Sequence, residues 1–307
     1  MTLPPSANMP HDQQGASLLE LLIAMTIGLL VVAGVVMLYM QTSRAFVQQH
    51  AMADLQARGR LATQLISEEL RRTGFWGEMA LPERRDSDST ALDGTAFDVA
   101  NILPVWGGST KTAEDLKLLP ESADLVASTV QAPSSVVAVR YADHGNGPCI
   151  ALNSQRQLVT EDACSSNWRY HAAIYHLRWV TEPTGEQVPA LYVSLMGKAE
   201  KYIGSEVVRH VEAFEIEWGR DEDGDGSANR FYNSSDVSSW IMGDWDRVVV
   251  ARIYLLLRSE KMALPMPARK FLMAGRIVEP AADHYQRRLF VTTATLRNNR
   301  LRMAHGH

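Results

Sequence analysis

Gly15-Ala16-Ser17-Leu18-Leu19-Glu20, followed by LLIAMTIGLLVVAGVVMLYM over residues 21–40, is the stretch whose reading decides the fold. A polar leader ends in glycine, an apolar helix begins at once, and a single carboxylate stands five residues past that glycine. About 20 apolar residues span a bilayer as a helix at ~1.5 Å rise per residue. That is too long for the core of an ordinary secretory signal, roughly 7–15 residues. After the run, Gln41-Thr42-Ser43-Arg44 simply opens a polar helix and offers no small-x-small cleavage site. The span is therefore expected to stay with the mature protein. Glu20 is the anomaly, because a carboxylate in a membrane span costs about 2.5–3.5 kcal/mol on insertion scales and marks function by default.

Working outward, the helix is expected to continue. Phe46, Leu55, Ala62, Leu65, Ile66 and Leu70 recur at helical spacing, with Arg, Gln and Glu between them. Arg71-Arg72 followed by Gly74 is a C-terminal stop. From Ala16 to Thr73 this makes a helix of roughly 85 Å. Gly28, Gly34 and Gly59 are expected weak points along it.

Residues 75–135 carry scattered prolines and glycines and predict loops and short helices. Strands dominate afterwards. Val136–Tyr141 is β-rich, and 174–180 and 190–194 flank the turn Pro183-Thr184-Gly185 as a hairpin. Phe214, Ile216 and Trp218 alternate with Glu215 and Glu217, predicting one buried face. Val249, Ala251, Ile253, Leu255 and Leu257 make an apolar face opposite Arg252 and Arg258, and 289–296 reads as a last strand. A long helix followed by antiparallel strands is an α+β plan.

The chain has 307 residues and a net charge of -5, which gives no footprint for nucleic acid. It has two cysteines, Cys149 and Cys164, in a stretch that reads as a loop. In a membrane-anchored chain exposed to an oxidising compartment they predict a disulfide, against the alternative of two buried free thiols. Asp221-Glu222-Asp223-Gly224-Asp225-Gly226-Ser227-Ala228-Asn229 sets carboxylates at alternate positions with glycine at the turn. That is the first half of a calcium loop, with Asp221, Asp223, Asp225, Ser227 and Asn229 as candidate ligands. Tyr232 stands where a bidentate Glu completes such a loop, and an acidic Asp-Gly turn accounts for the same residues. Calcium is the one cofactor in question. No HExxH, GxSxG or phosphate-cradling glycine loop appears, and the expectation is a non-enzyme.

The N-terminal pattern resembles the prepilin methylation motif of type IV pilins and type II secretion pseudopilins. The resemblance implies cleavage by a prepilin peptidase between Gly15 and Ala16, from a start at Met1 or Met9, and methylation of the Ala16 amine. It implies an assembly role for Glu20, whose carboxylate meets the N-terminal amine of a neighbouring subunit. Further on, Leu70-Arg71-Arg72-Thr73-Gly74-Phe75-Trp76-Gly77, the 214–219 strand, the Asp-Gly loop at Asp221, and Arg287-Arg288-Leu289-Phe290 through Leu296-Arg297-Asn298 look like the PilW family of minor pilins. The implied plan is a pilin fold: leader 1–15, transmembrane half-helix 16–40, amphipathic half-helix 41–74 and a β-rich periplasmic domain 75–307. The implied function is priming of pilus growth with other minor pilins and the major pilin, in a tip complex. The implied location is the inner membrane of a Gram-negative bacterium and then the pilus at the cell surface. A GspJ-like secretion pseudopilin and an anchored calcium-dependent adhesin or sensor that never polymerises remain as alternatives.

Overall fold

The computed structural model describes residues 17–79, 103–109, 134–156, 158–161, 167–196, 202–240, 242–263 and 265–299. The chain divides into two compact units, Met1–His50 and Ala51–His307. Helix α1, Leu18–Arg72, contributes to both. In the first unit it is exposed on every side and carries an 18-residue window of mean hydropathy 2.8, long and apolar enough to cross a membrane.

In the second unit the same helix turns amphipathic. Leu55, Gly59, Ala62, Ile66, Ser67 and Leu70 are its buried positions, three to four residues apart. Phe46, expected in this stripe, is exposed. The stop falls as the sequence predicts. Gly74 has φ +77°, its N–H donates to the Arg140 carbonyl at 2.9 Å, and the Phe75 N–H returns to the Arg72 carbonyl at 3.0 Å.

Two sheets complete the unit among the described residues. The larger contains β1 (Val105–Ser109), β2 (Ser135–Asp143), β5 (Arg169–Thr181), β6 (Gln187–Met196) and β7 (Tyr202–Arg209) in spatial order, all antiparallel. The hairpin of β3 (Cys149–Leu152) and β4 (Leu158–Glu161) joins the start of β5. The smaller sheet runs β13 (Arg287–Thr295), β10 (Val248–Arg258), β8 (Val211–Arg220), β9 (Arg230–Asn233). A small hairpin, β11 (Phe271–Met273) and β12 (Arg276–Val278), folds against this second sheet through Met273, Ala274 and Val278, which pack with Tyr254 and Leu256. One core holds Leu55, Ala62, Ile66 and Leu70 of α1 together with inward residues of both sheets. This is the α+β plan read from the sequence.

Five local readings need correction. Within 75–135 the structure has a strand, β1, where Gly107 and Gly108 leave room for indole rings close to the backbone. A Cβ on Gly107 would stand 2.3 Å from the Trp218 ring, and one on Gly108 2.6 Å from the Trp106 ring. Gly59 is a packing site rather than a weak point, since the Phe290 ring lies 2.3 Å from where its Cβ would be. Strand β8 is buried on both faces, with Glu212 and Glu215 each 5% exposed, because the 259–287 segment covers its second face with Arg276 and Arg287. A bulge between Val248 and Val250 puts Val248, not Val249, in the main core. Cys149 begins a strand instead of lying in a loop.

Candidate functional site

The N-terminal site is only partly described. Gly15 and Ala16 lie outside the described residues. Glu20 stands in the first turn of α1, where its Oε2 accepts the Ser17 N–H at 3.3 Å. A carboxylate there satisfies an orphan backbone donor and complements the positive end of the helix dipole. The next charged residue along the helix is Arg44.

The acidic loop joins β8 to β9 at the end of the second unit where α1 stops. That end is fixed by Asn298, which donates to the Arg72 and Thr73 carbonyls, and by the Leu296 N–H on the Val249 carbonyl. Asp221 is 1% exposed and organises the turn. Its Oδ1 accepts the Gly224 N–H and its Oδ2 the Gly226 N–H, both at 2.7 Å. Burial opposes the Asp221 charge, but these two backbone bonds hold its carboxyl below the usual range. Gly224 and Gly226 both have φ +82°, the left-handed conformation that the turn requires.

Carboxylate oxygens of Asp221, Asp223 and Asp225 lie within 4.8 Å of one another. Of the two other predicted ligands, Asn229 has its side chain engaged within the loop and Ser227 its backbone N–H. Asn229 donates its Nδ2–H to Asp223 at 3.0 Å and accepts the Glu222 N–H at 2.7 Å, while the Ser227 N–H bonds Asp225 at 2.6 Å. The Tyr232 hydroxyl closes the loop on Glu222 at 2.7 Å. Three carboxylates thus lie close together, and hydrogen bonds within the loop relieve part of their mutual repulsion. Beneath the loop Tyr232, Trp240, Trp245 and Trp218 stack edge to face at centroid separations of 5.0–5.2 Å.

Cys149 is buried at the head of β3 and is not a free thiol; Cys164 lies outside the described residues. No local motif points to the polar cluster at the C-terminal end of α1. His171 on β5 sits between Glu69 of the helix, 3.1 Å from Nε2, and Asp143 of β2, 3.3 Å from Nδ1. The Tyr141 hydroxyl donates to the other Glu69 oxygen at 3.1 Å, and its ring stacks on His171 at 4.3 Å. Burial works against the imidazolium, but the hydrogen bonds to Asp143 and Glu69, and then their charges, prevail and hold its pKa at about 9. The cluster is a charged clasp between helix and sheet. Glu69 and His171 are 102 residues apart, so only the fold brings them together.

Comparison with known proteins gives two matches. The family model described as type IV pilus-assembly protein W covers residues 178–298, from the second half of β5 through the end of β13. The model described as the prokaryotic N-terminal methylation motif covers residues 10–36, from before Gly15 through most of the apolar run. No curated protein and no solved structure matches the chain.

Proposed function

We propose that this chain, a PilW-like type IV minor pilin anchored by α1, primes pilus growth within a complex of minor pilins and takes a place in the tip complex. The observation that carries the assembly reading is Glu20, a carboxylate in the first turn of an otherwise uncharged span, inside the matched methylation motif. Its partner is the amine created at Ala16 of a neighbouring subunit once the prepilin peptidase has cut after Gly15. Two opposite charges in a low-dielectric layer attract strongly, and each is costly alone. The mechanism is packing rather than turnover. The tip position rests on the PilW likeness, and the globular unit belongs in the periplasm of a Gram-negative cell before assembly.

The test is Glu20→Ala in pilus-producing cells. Removing a charge from the span leaves membrane insertion intact. Co-isolation with the other minor pilins and surface piliation should both fall. Normal co-isolation together with normal piliation contradicts the reading.

We further propose that Cys149 and Cys164 form a bridge in the oxidising compartment, worth about 3 kcal/mol for a loop of this size in the chain-entropy model. Peptide mapping without reductant should recover the linked pair, and two alkylatable thiols in protein taken from the periplasm would exclude it. For the acidic loop we propose a calcium site, favoured by the convergence of the three carboxylates. Binding to the folded state alone stabilises by about 2.7 kcal/mol at a hundredfold excess over Kd. The full chain should melt higher in calcium than in chelator, with the gain abolished by Asp223→Ala. An unchanged melting temperature at millimolar calcium leaves a plain acidic turn.

A further inference from the structure

The two sheets are joined between β7 and β8 by a single residue, His210. Three observations set this position apart. Its φ is +61°, a left-handed backbone that residues with a Cβ rarely adopt. It is 5% exposed. Its imidazole has one acceptor among the described residues: Nε2 lies 3.2 Å from Glu182 of the β5–β6 turn, and buried Nδ1 has no hydrogen-bond partner. The backbone is also engaged, because the Arg258 N–H donates to the His210 carbonyl at 2.9 Å and so ties the end of β10 to the corner.

The surroundings contain cations as well as anions. Arg58 of α1 and Arg258 of β10 oppose a positive ring, while Glu182 and Glu260 favour one. Arg258 is itself committed to Glu212, at 3.5 Å, beside the Arg287–Glu212 pair at 2.6 Å. Arg58 pairs with Asp54 on its own helix. The neutral ring, with its proton on Nε2 facing Glu182, is the form this pocket fits. Burial first, and then Arg58, hold its pKa below the ordinary 6.5.

We infer that His210 makes the joint between the two sheets acid-sensitive. Adding a proton at Nδ1 creates a buried N–H without an acceptor, next to two guanidinium groups, in a residue whose backbone is already strained. The closed joint binds that proton poorly, and the opened joint binds it at the ordinary histidine value. Acid therefore draws the corner open, releasing the Arg258-to-His210 hydrogen bond and loosening the packing beside Arg58. This lies at the end of the unit where the chain arrives from the span, since Met52 of α1 contacts Arg288 at the start of β13.

The sign follows from linkage. A depressed folded-state pKa in a base means that the open state takes up the proton first, so closure weakens as pH falls below about 6.5, by at most roughly tenfold per pH unit. The test is hydrogen exchange on the full chain in detergent micelles at pH 7.5 and 5.0, corrected for intrinsic rates and read at the Arg258 amide. His210→Asn is the control, because Asn tolerates a positive φ and does not titrate. Protection at Arg258 should fall severalfold in the wild type on acidification and stay level in the variant. An equal change in both proteins overturns the inference. A second readout needs no variant: the His210 ring in an NMR titration should gain its proton only below the ordinary 6.5. A ring that titrates at 6.5 or above overturns the inference as well. The local readout also separates His210 from His176, a buried ring within β5 whose pKa burial pushes down to about 4.

Discussion

The two halves of α1 are one helix in two solvents. Between Leu21 and Met40 every side chain is exposed and all but Thr26 are uncharged and apolar or glycine. Between Leu55 and Leu70 only one stripe is buried, and each position in it has a partner of definite shape. The first half is recognised by composition, as a long uncharged apolar run. The second is specified by fit. The same substitution should therefore have different consequences in the two halves.

The largest contrast is expected from truncating an isoleucine. Ile66 is fully buried, and Ile66→Ala leaves a cavity among well-packed neighbours at a cost of about 2–5 kcal/mol. Ile27 is 56% exposed, and Ile27→Ala should leave unfolding of the second unit unchanged. All seven tryptophans belong to that unit, so tryptophan fluorescence of the full chain in micelles reads its urea midpoint selectively. Equal shifts for the two variants would break the contrast.

Next in size is Gly107→Ala. The added Cβ meets the fully buried Trp218 ring, which has no room to swing aside, and overpacking of this kind costs about 1–3 kcal/mol. The same fluorescence melt should show the loss, and a neutral result would mean that the indole does not rest on the β1 backbone.

The clasp at the end of α1 has a pH signature. The pKa of His171 is raised from 6.5 to about 9, so its contribution is complete below pH 6.5 and disappears as pH rises through 9. The melting temperature of wild type should exceed that of His171→Gln most at pH 6 and converge with it by pH 10. The gap corresponds to on the order of 1–2 kcal/mol, discounted for partial exposure. A gap that is constant with pH would reduce the clasp to packing.

How much of this was legible in the sequence follows the same division. Where position does not matter, pattern suffices. The span, the stripe from Leu55 onward, the stop at Gly74 and the hairpin around Pro183-Thr184-Gly185 are all readable, because each needs only residue type at a period. Where fit matters, local reading fails. Gly107-Gly108 looks like loop until Trp218 and Trp106 are laid on it, and Glu215 looks like a surface carboxylate until Arg276 and Ser135 meet it. The acidic loop was legible as a cluster, but the structure gives Asn229 and Ser227 work inside the turn that spacing alone cannot reveal. The His171 clasp and the His210 joint were not legible, since their partners come from distant segments.

The smallest contrast is also the sharpest, because one chemical change should take opposite signs. Nothing lies within 4 Å of a Cβ added to Gly28, so Gly28→Ala should gain helix propensity, up to about 1 kcal/mol, with no clash. Gly59→Ala gains the same propensity but must displace the Phe290 ring, and a net loss of about 1 kcal/mol is expected in the second unit. Thermal melts followed by helix signal and by tryptophan fluorescence would separate the two.

The central claim is that this helix is a pilin's helix, cut and methylated at its head. Mass spectrometry of the intact protein isolated from pilus-producing cells tests it most directly. The account predicts a mature chain beginning at N-methyl-Ala16, with Glu20 in its first turns; a chain that still begins at Met1 or Met9 in cells with an active prepilin peptidase would contradict it.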